Sequence, residues 1–555
     1  MRKAKSPGAH SKSRTQAIWR PTGTRLGART EFRIYPSIGV ARIGDSRDEF
    51  MIGPEAPGMV PSGPFRGADN GIKPQAARFR IYKVAVDANE NEVVTEEIVP
   101  GAGIEIEWTV SLANRKAAGF RIGDTLARSA NPGLRNDGLD RDKLVISANG
   151  SVTGSNAKGQ VLSGSIEFAK PRTTGTKFTD VLLARLRTDE VGRLLVVGGP
   201  GTSGSLPNAS IDVFSDNDGW YDSVSDGPVS ATLRIQGKSH PVVPAWVLIT
   251  VPRYAPAIQG IVTWYDQAVN MARTGVDGRF NAPRTTSFTR DIFPILRRAD
   301  NLSAVHGVAH ANGTVNPLSD AARIAEFNNP AQRAAVQSRL TPLGSTAPGP
   351  EQRPHQTMPR LFSGANPEED GPTWTFLALT RYQLAHIDNW VNGNFDADWA
   401  GSPPDPVPIE RLPIDRQAWA LCEAALENCV GGSFFPGIEG TYDIARIGAY
   451  HPEINLRREF RIDPAHPAGF LTEKMALPWQ ADFADCSNFW WPSQRPDDVT
   501  LSTGEKVRWD RGVADLTSNR HLNMVNSWSE LGFVVFDKTV GKFVEDERTL
   551  GVQVA

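Results

Sequence analysis

Through much of its first half the chain alternates hydrophobic and polar positions with a period of two. The run Phe32-Arg33-Ile34-Tyr35-Pro36-Ser37-Ile38-Gly39-Val40-Ala41-Arg42-Ile43-Gly44 reads as a strand broken at Pro36 and resumed after it. Residues 48–55 follow as strand and turn. Short β-like runs recur at 79–86, 103–112, 165–168, 193–197, 231–235 and 245–251, punctuated by Gly, Asn, Asp and Pro. This pattern predicts a β-sandwich-like domain over residues 31–255, preceded by a disordered basic arm, residues 1–30.

The period then lengthens. Residues 262–271 and 288–298 read as helices, and 319–340 as a helix broken at Pro330. A Pro-, Gly- and Ser-rich stretch follows at 341–373, so residues 256–373 are expected to form a helical and linker region. Residues 380–392 predict a helix ended by Gly393, with Leu379, Tyr382, His386 and Trp390 along one face. Another is predicted at 415–430, stopped by Gly431-Gly432, with Trp419, Cys422, Leu426 and Cys429 on one face. The expected fold class is α+β with β dominant, and residues 374–555 form its mixed, chemistry-bearing region.

Composition narrows the function. With 60 basic against 62 acidic residues, the chain offers no electrostatic case for nucleic acid or a membrane surface as its main partner. No apolar run approaches the roughly 20 residues a membrane span needs. The N-terminal arm has no apolar core of the kind a secretory signal carries. Three cysteines in 555 residues make no disulfide framework, so a reducing, cytoplasmic setting is the default expectation.

Candidate chemistry concentrates in Pro478-Trp479-Gln480-Ala481-Asp482-Phe483-Ala484-Asp485-Cys486-Ser487-Asn488-Phe489-Trp490-Trp491-Pro492. A thiol stands one residue after one carboxylate and four after another, inside an aromatic wall. Neighbours set a thiol's pKa, and two carboxylates raise it, so their expected task is to accept protons. Elsewhere, Asp216-Asn217-Asp218-Gly219 has oxygen ligands suited to calcium, but no closing glutamate; an Asx-turn loop is the plainer reading. His306 and His310 have the spacing of zinc ligands on a helix without the glutamate of a metalloprotease motif, and no metal site is assigned. His386 is either a core residue or a catalyst. Cys429 and Glu439 are candidate pocket residues, although Glu439 suits a capping role equally well.

Several motifs occurring in one order resemble the amino-acid oxidases that carry a cysteine tryptophylquinone, the L-lysine 6-oxidase and quinone-type glycine oxidase family. They are the segment 34–44, Asp216-Asn217-Asp218-Gly219-Trp220 with Ser225-Asp226-Gly227-Pro228-Val229, and Gly431-Gly432 with Pro436-Gly437-Ile438-Glu439. The most telling are Pro478-Trp479-Gln480-Ala481-Asp482-Phe483 leading to Cys486, and Trp528 before Leu531-Gly532-Phe533-Val534. The resemblance implies a quinone built from Cys486 and Trp528, with Asp482 as the proton acceptor that forms it and then serves as the base. It implies oxidation of an amino acid or amine through a Schiff base, with O2 giving hydrogen peroxide and ammonia. It further implies a separate flavoprotein that installs the quinone, a homo-oligomer, and export without an ordinary signal as an alternative to the cytoplasm. Tyr221 is the matching candidate for an aromatic residue beside the quinone, and Trp490 for a pocket wall. Two other readings stand beside this one: non-oxidase amine chemistry on a specialised or carrier-bound amino acid, and a non-catalytic β-sandwich binding protein.

Overall fold

The computed structural model describes residues 29–89, 91–122, 133–172, 176–274, 278–307, 329–347, 358, 361, 374–432, 437–451, 459–486, 490–514 and 519–550. His310, residues 319–328 of the expected helix, the aromatic turn at 433–436 and the basic arm up to residue 28 lie outside them.

The first half is β-dominated, as its alternation predicts, and most of it forms one 14-stranded sheet. In chain order its main strands are β1 (Arg29–Tyr35), β2 (Ile38–Arg42), β3 (Met51–Ile52), β4 (Gln75–Val86), β5 (Glu92–Ile98), β6 (Ile104–Asn114), β7 (Ile146–Thr153), β8 (Lys158–Glu167), β9 (Phe178–Thr188) and β10 (Leu194–Gly198). After the small hairpin of β11 (Ser203–Ser205) and β12 (Trp220–Asp222) come β13 (Ser225–Ile235), β14 (Lys238–His240), β15 (Val242–Val243) and β16 (Ala245–Thr250).

The strand path runs β7-β6-β13-β16-β2-β4-β10-β9-β8. Its two ends meet: the Ser151 N–H of β7 donates to the Gln160 side chain of β8 at 2.8 Å, and Gly164 lies directly against the Ser147 backbone. The sandwich-like layering therefore comes from one sheet curled into a near-barrel, which leaves few open edges. Strand β7 shows why such segments pair: Ile146, Ala148, Gly150 and Val152 turn inward while Ser147, Asn149 and Thr153 face water. Strand β16 differs, being buried at every position between antiparallel β13 and parallel β2. One of its faces fills the barrel. The other, carrying Trp246 and Leu248, packs on Trp264, Leu426, Cys429 and Phe460 from the second half of the chain.

Helices Trp264–Thr274 and Ile414–Glu427 cover that outer face, and further helices pack outside them. Arg381–Val391 begins at Thr380, whose hydroxyl and the Gln383 side chain form a capping box, and Gly393 follows in the left-handed region (φ +81°). Ile414–Glu427 ends just before the two glycines. At Pro330, where the helical period is expected to break, a helix starts: the proline is the first residue of Pro330–Gln337, with Asn329 capping the Ala331 N–H. Proline has no N–H to lose at that position and its φ is already helical.

The join between sheet and C-terminal region is polar. Lys116, just past β6, is fully buried and donates to Asp222 Oδ2 at 2.7 Å and to the Ala476 carbonyl at 2.9 Å. Asn114 Nδ2 donates to Asp222 Oδ1 at 2.8 Å. Lys116→Met strands the Asp222 carboxylate in the core, an uncompensated charge that costs about 3–5 kcal/mol. Thermal unfolding should show a clearly lowered Tm, largely restored in Lys116→Met/Asp222→Asn. Equal melting of the single variant and the parent would contradict the role given to the pair.

Candidate functional site

Residues Trp479–Asp485 form a seven-residue helix that ends at Cys486, whose backbone N–H closes the last turn on the Asp482 carbonyl at 2.8 Å. The aspartate-rich loop before β12 acts as its clasp. Leu477 N–H donates to the Ser215 carbonyl and Asn217 Nδ2 to the Leu477 carbonyl, both at 2.9 Å. The Trp479 N–H, an orphan donor at the helix start, is taken by Asp222 Oδ2 at 3.1 Å. Asp216 meanwhile accepts from Arg135 Nε at 2.7 Å, and Asp218 accepts from Arg121 and from the Asn136 N–H. The loop thus spends its carboxylates on arginines and backbone donors, as a structural loop does.

A second short helix, Arg520–Ser527, leads directly into Trp528. The two helices are fastened through Asp485, which meets His521 Nε2 at 2.8 Å and Arg520 Nη2 at 2.6 Å. Asp485 immediately precedes Cys486, so this clamp draws the thiol towards the tryptophan although 528 − 486 = 42 positions separate them. Cys486 and Trp528 lie in one core cluster with Trp479, Phe483, Trp490 and Trp491. The Trp479 ring stands edge-on to Trp528, centroids 5.3 Å apart.

Asp482 is fully buried in this core. Neither of its oxygens completes a well-directed hydrogen bond. The Cys486 thiol and the Trp491 indole approach closely enough to favour the carboxylate, but burial dominates and pushes its pKa up to about 7. Burial, then the Asp482 and Asp485 carboxylates, hold the Cys486 thiol well above the usual thiol range. The resting sulfur is a thiol beside a carboxylate that titrates near neutrality.

The tryptophan ring is approached by bare backbone. Gly201 (φ +75°) lies so close to Trp528 that a Cβ there would stand 2.5 Å from Cζ2 and 2.9 Å from Cη2. Only glycine fits this approach. The loop is pinned by Gln480, whose Oε1 accepts from Ser203 Oγ at 2.7 Å. The residues therefore fit a group built on Trp528 and Cys486: a buried carboxylate without a well-directed hydrogen bond, an adjacent thiol, and bare backbone at two neighbouring ring carbons.

Of the residues singled out from sequence, Asp482 and Cys486 belong to the helix that packs against the one leading into Trp528, and Trp490 is buried in the main hydrophobic core. Tyr221, half-buried on β12, packs against the main hydrophobic core, its hydroxyl close to Gly204. His386 sits elsewhere, on Arg381–Val391. Its Nδ1 is 3.0 Å from Thr286 Oγ1 and 3.7 Å from Asp291, its ring meets Tyr382 edge-on, and burial lowers its pKa. Glu439 is a clamp: Oε1 accepts from Arg42 at 2.7 Å and Oε2 from the Val430 N–H at 2.8 Å. Cys429 is buried beside Arg42 in the helix-facing core, where burial raises its pKa. Sequence reasoning passed over Lys116, Asp222, Gly201 and Arg495. A lysine at a strand end and an arginine before a proline carry no motif. Asp222 reads only as one of the later aspartates of the calcium-like stretch, and Gly201 carries no motif.

With the geometry in hand, comparison with known proteins is direct. Residues 35–249 match the family model "L-Lysine epsilon oxidase N-terminal", and residues 360–509 match "L-lysine epsilon oxidase C-terminal domain". The second match includes Asp482 and Cys486 and ends 528 − 509 = 19 residues before Trp528. L-lysine 6-oxidase of Marinomonas mediterranea is 25% identical, over 90% of this chain and 86% of that protein. Two crystal structures of L-Lys epsilon-oxidase from the same organism, one of them its Schiff base intermediate with L-Lys, share the fold. Each has a TM-score of 0.70 at 23% identity, covering 93% of this chain and 95% of theirs. Both halves of the chain thus match the two parts of one family, in order, and the chain belongs to the L-lysine epsilon-oxidase family of oxidoreductases.

Proposed function

We propose that the chain oxidises a primary amine of an amino acid or close analogue, using a cysteine tryptophylquinone made from Cys486 and Trp528. Oxygen is the oxidant, and hydrogen peroxide and ammonia are released. The observation that carries the reading is Asp482: a fully buried carboxylate without a well-directed hydrogen bond, one helical turn before the thiol, on a helix packed against the one that leads into Trp528. A quinone at this position supplies an electrophilic carbonyl for a neutral amine and a sink for two electrons.

The chain's own residues supply the rest. During maturation, which a separate flavoprotein assists, Asp482 takes the proton that the Cys486 thiol must lose before its sulfur can bond to carbon. In the mature enzyme the same carboxylate removes a proton from the carbon that bears the substrate nitrogen. A base titrating near 7 suits both tasks at neutral pH. Trp479, Phe483 and Trp491 keep water from the reacting carbons, and Tyr221 and Trp490 line the approach. The small-molecule class follows the relative, which is named for L-lysine. A panel of amino acids and amines distinguishes an α from an ε nitrogen.

The test is peroxide and ammonia release by protein matured with its flavoprotein. The proposal expects turnover with at least one amino acid, lost in Trp528→Phe and reduced by about 10²–10⁴ in Asp482→Asn. Matured protein inert towards the whole panel, or Asp482→Asn at parental rate, would refute it. The rate should fall as pH drops through about 7, because Asp482 then holds a proton and cannot accept another.

Stability carries the opposite sign. The folded-state pKa lies above the ordinary carboxylate value, so Asp482 lowers stability as pH rises from about 4 through 7. Asp482→Asn should therefore raise the Tm at pH 8 and leave it almost unchanged at pH 4. A lowered Tm at pH 8 would contradict the burial argument.

A further inference from the structure

Two buried ion pairs hold the Trp479–Asp485 helix, one at each end, and neither cation is hydrogen-bonded to Asp482. Lys116 with Asp222 serves the start. Arg495, buried completely, serves the finish: Nε donates to the Phe483 carbonyl at 2.6 Å, Nη1 to the Pro496 carbonyl at 2.9 Å, and Nη2 to Asp510 Oδ2 at 2.5 Å. Its guanidinium also lies over the Trp509 ring, 5.2 Å from the centroid. Phe483 carries one of the last helical carbonyls, which have no partner inside the helix. The guanidinium that caps it is a permanent charge, since arginine does not deprotonate in proteins.

That charge sits on the carbonyl of Phe483, the residue directly after Asp482 and three before Cys486. The other ionisable groups facing Asp482 are Asp485, the Cys486 thiol and, more remotely, Lys116 with its partner Asp222. Facing Arg495 are Asp510, which also holds Arg508 at 2.7 Å, and Asp497 at 3.9 Å.

We propose that Arg495, held by Asp510, is a positioning residue for this site: it fixes the last turn of the cysteine helix, and its buried charge favours the ionised form of Asp482. The proposal rests on the reading of Asp482 as the proton acceptor. It adds that the acceptor is tuned by a cation acting through space, in a core where electrostatic effects are poorly screened. Asp510 then controls the acceptor indirectly, by neutralising part of that cation's field.

An infrared titration of the Asp482 carboxyl tests this in chain expressed without the flavoprotein, so neither quinone nor turnover is needed. The band is identified by its loss in Asp482→Asn. Arg495→Met/Asp510→Asn removes both charges together, and the Asp482 midpoint should rise by about one pH unit. Asp510→Asn alone leaves Arg495 uncompensated, and the midpoint should fall by a similar amount. Arg495→Lys keeps the charge and should stay near the parent. In matured enzyme the acid limb of the pH–rate profile should move in the same directions.

General loosening of the core cannot shift a midpoint in opposite directions in two variants. Unmoved midpoints, or shifts of one sign in both, overturn the proposal. Should the double variant fail to fold, the downward shift in Asp510→Asn decides alone. An Asp482 band that does not titrate between about pH 4 and 10 in the parent overturns the acceptor reading itself, and this proposal with it.

Discussion

A carboxylate buried away from water without a directly bonded cation is among the costliest things a protein interior can hold. Asp482 is such a group, and the surrounding architecture serves to keep it in place. The helix that carries it has only seven residues, too few to be stable alone. It persists because it is gripped at both ends: the Ser215–Asp222 loop clasps its entry, Asp222 caps its first N–H, Arg495 caps the Phe483 carbonyl, and Asp485 ties it to the next helix. The near-barrel contributes at the same place, since Lys116 and Asn114 reach from the end of β6 to Asp222. The β-rich half of the chain is thus part of the site's support.

The same constraint accounts for what was legible beforehand. Strands with one face on the core, such as β6 and β13, announce themselves by alternation, and β16 by a continuous apolar run. Strand β9, Phe178–Thr188, does not: its sequence FTDVLLARLRT spaces leucines and arginines much as a helix would, and pairing with β8 and β10 overrides that tendency. Strand β5 is mostly exposed and acidic, so no apolar face marked it. A discontinuity at Pro330 was legible, but a proline within a periodic stretch reads alike whether it ends one helix or opens another.

At the site, the thiol, its carboxylate and the tryptophan are singled out through local sequence and a family resemblance, and the helix that carries the first two packs against the helix that leads into Trp528. What single-sequence reasoning could not supply is the set of residues acting from a distance. Lys116 lies 366 positions before Asp482, by 482 − 116, and nothing in its neighbourhood suggests burial. Glu439 and Cys429 were noticed for their chemistry, but the deciding fact is Arg42 beside them, contributed by a strand near the other end of the chain. His386 illustrates the reverse: a histidine on an apolar helical face, with Thr286 and Asp291 as its polar neighbours. Partners contributed by remote segments decide whether a polar residue is support or chemistry.

The central claim is that Cys486 and Trp528 become one covalent unit under the action of Asp482, and peptide mass spectrometry tests it most directly. Protein is prepared with and without a co-expressed candidate maturation flavoprotein, then digested. The account predicts that, after co-expression, the peptides holding Cys486 and Trp528 run as one linked species. That species has gained two oxygens and lost four hydrogens, two from the ring carbons and two in forming the thioether. Separate, unmodified peptides under both conditions would contradict it.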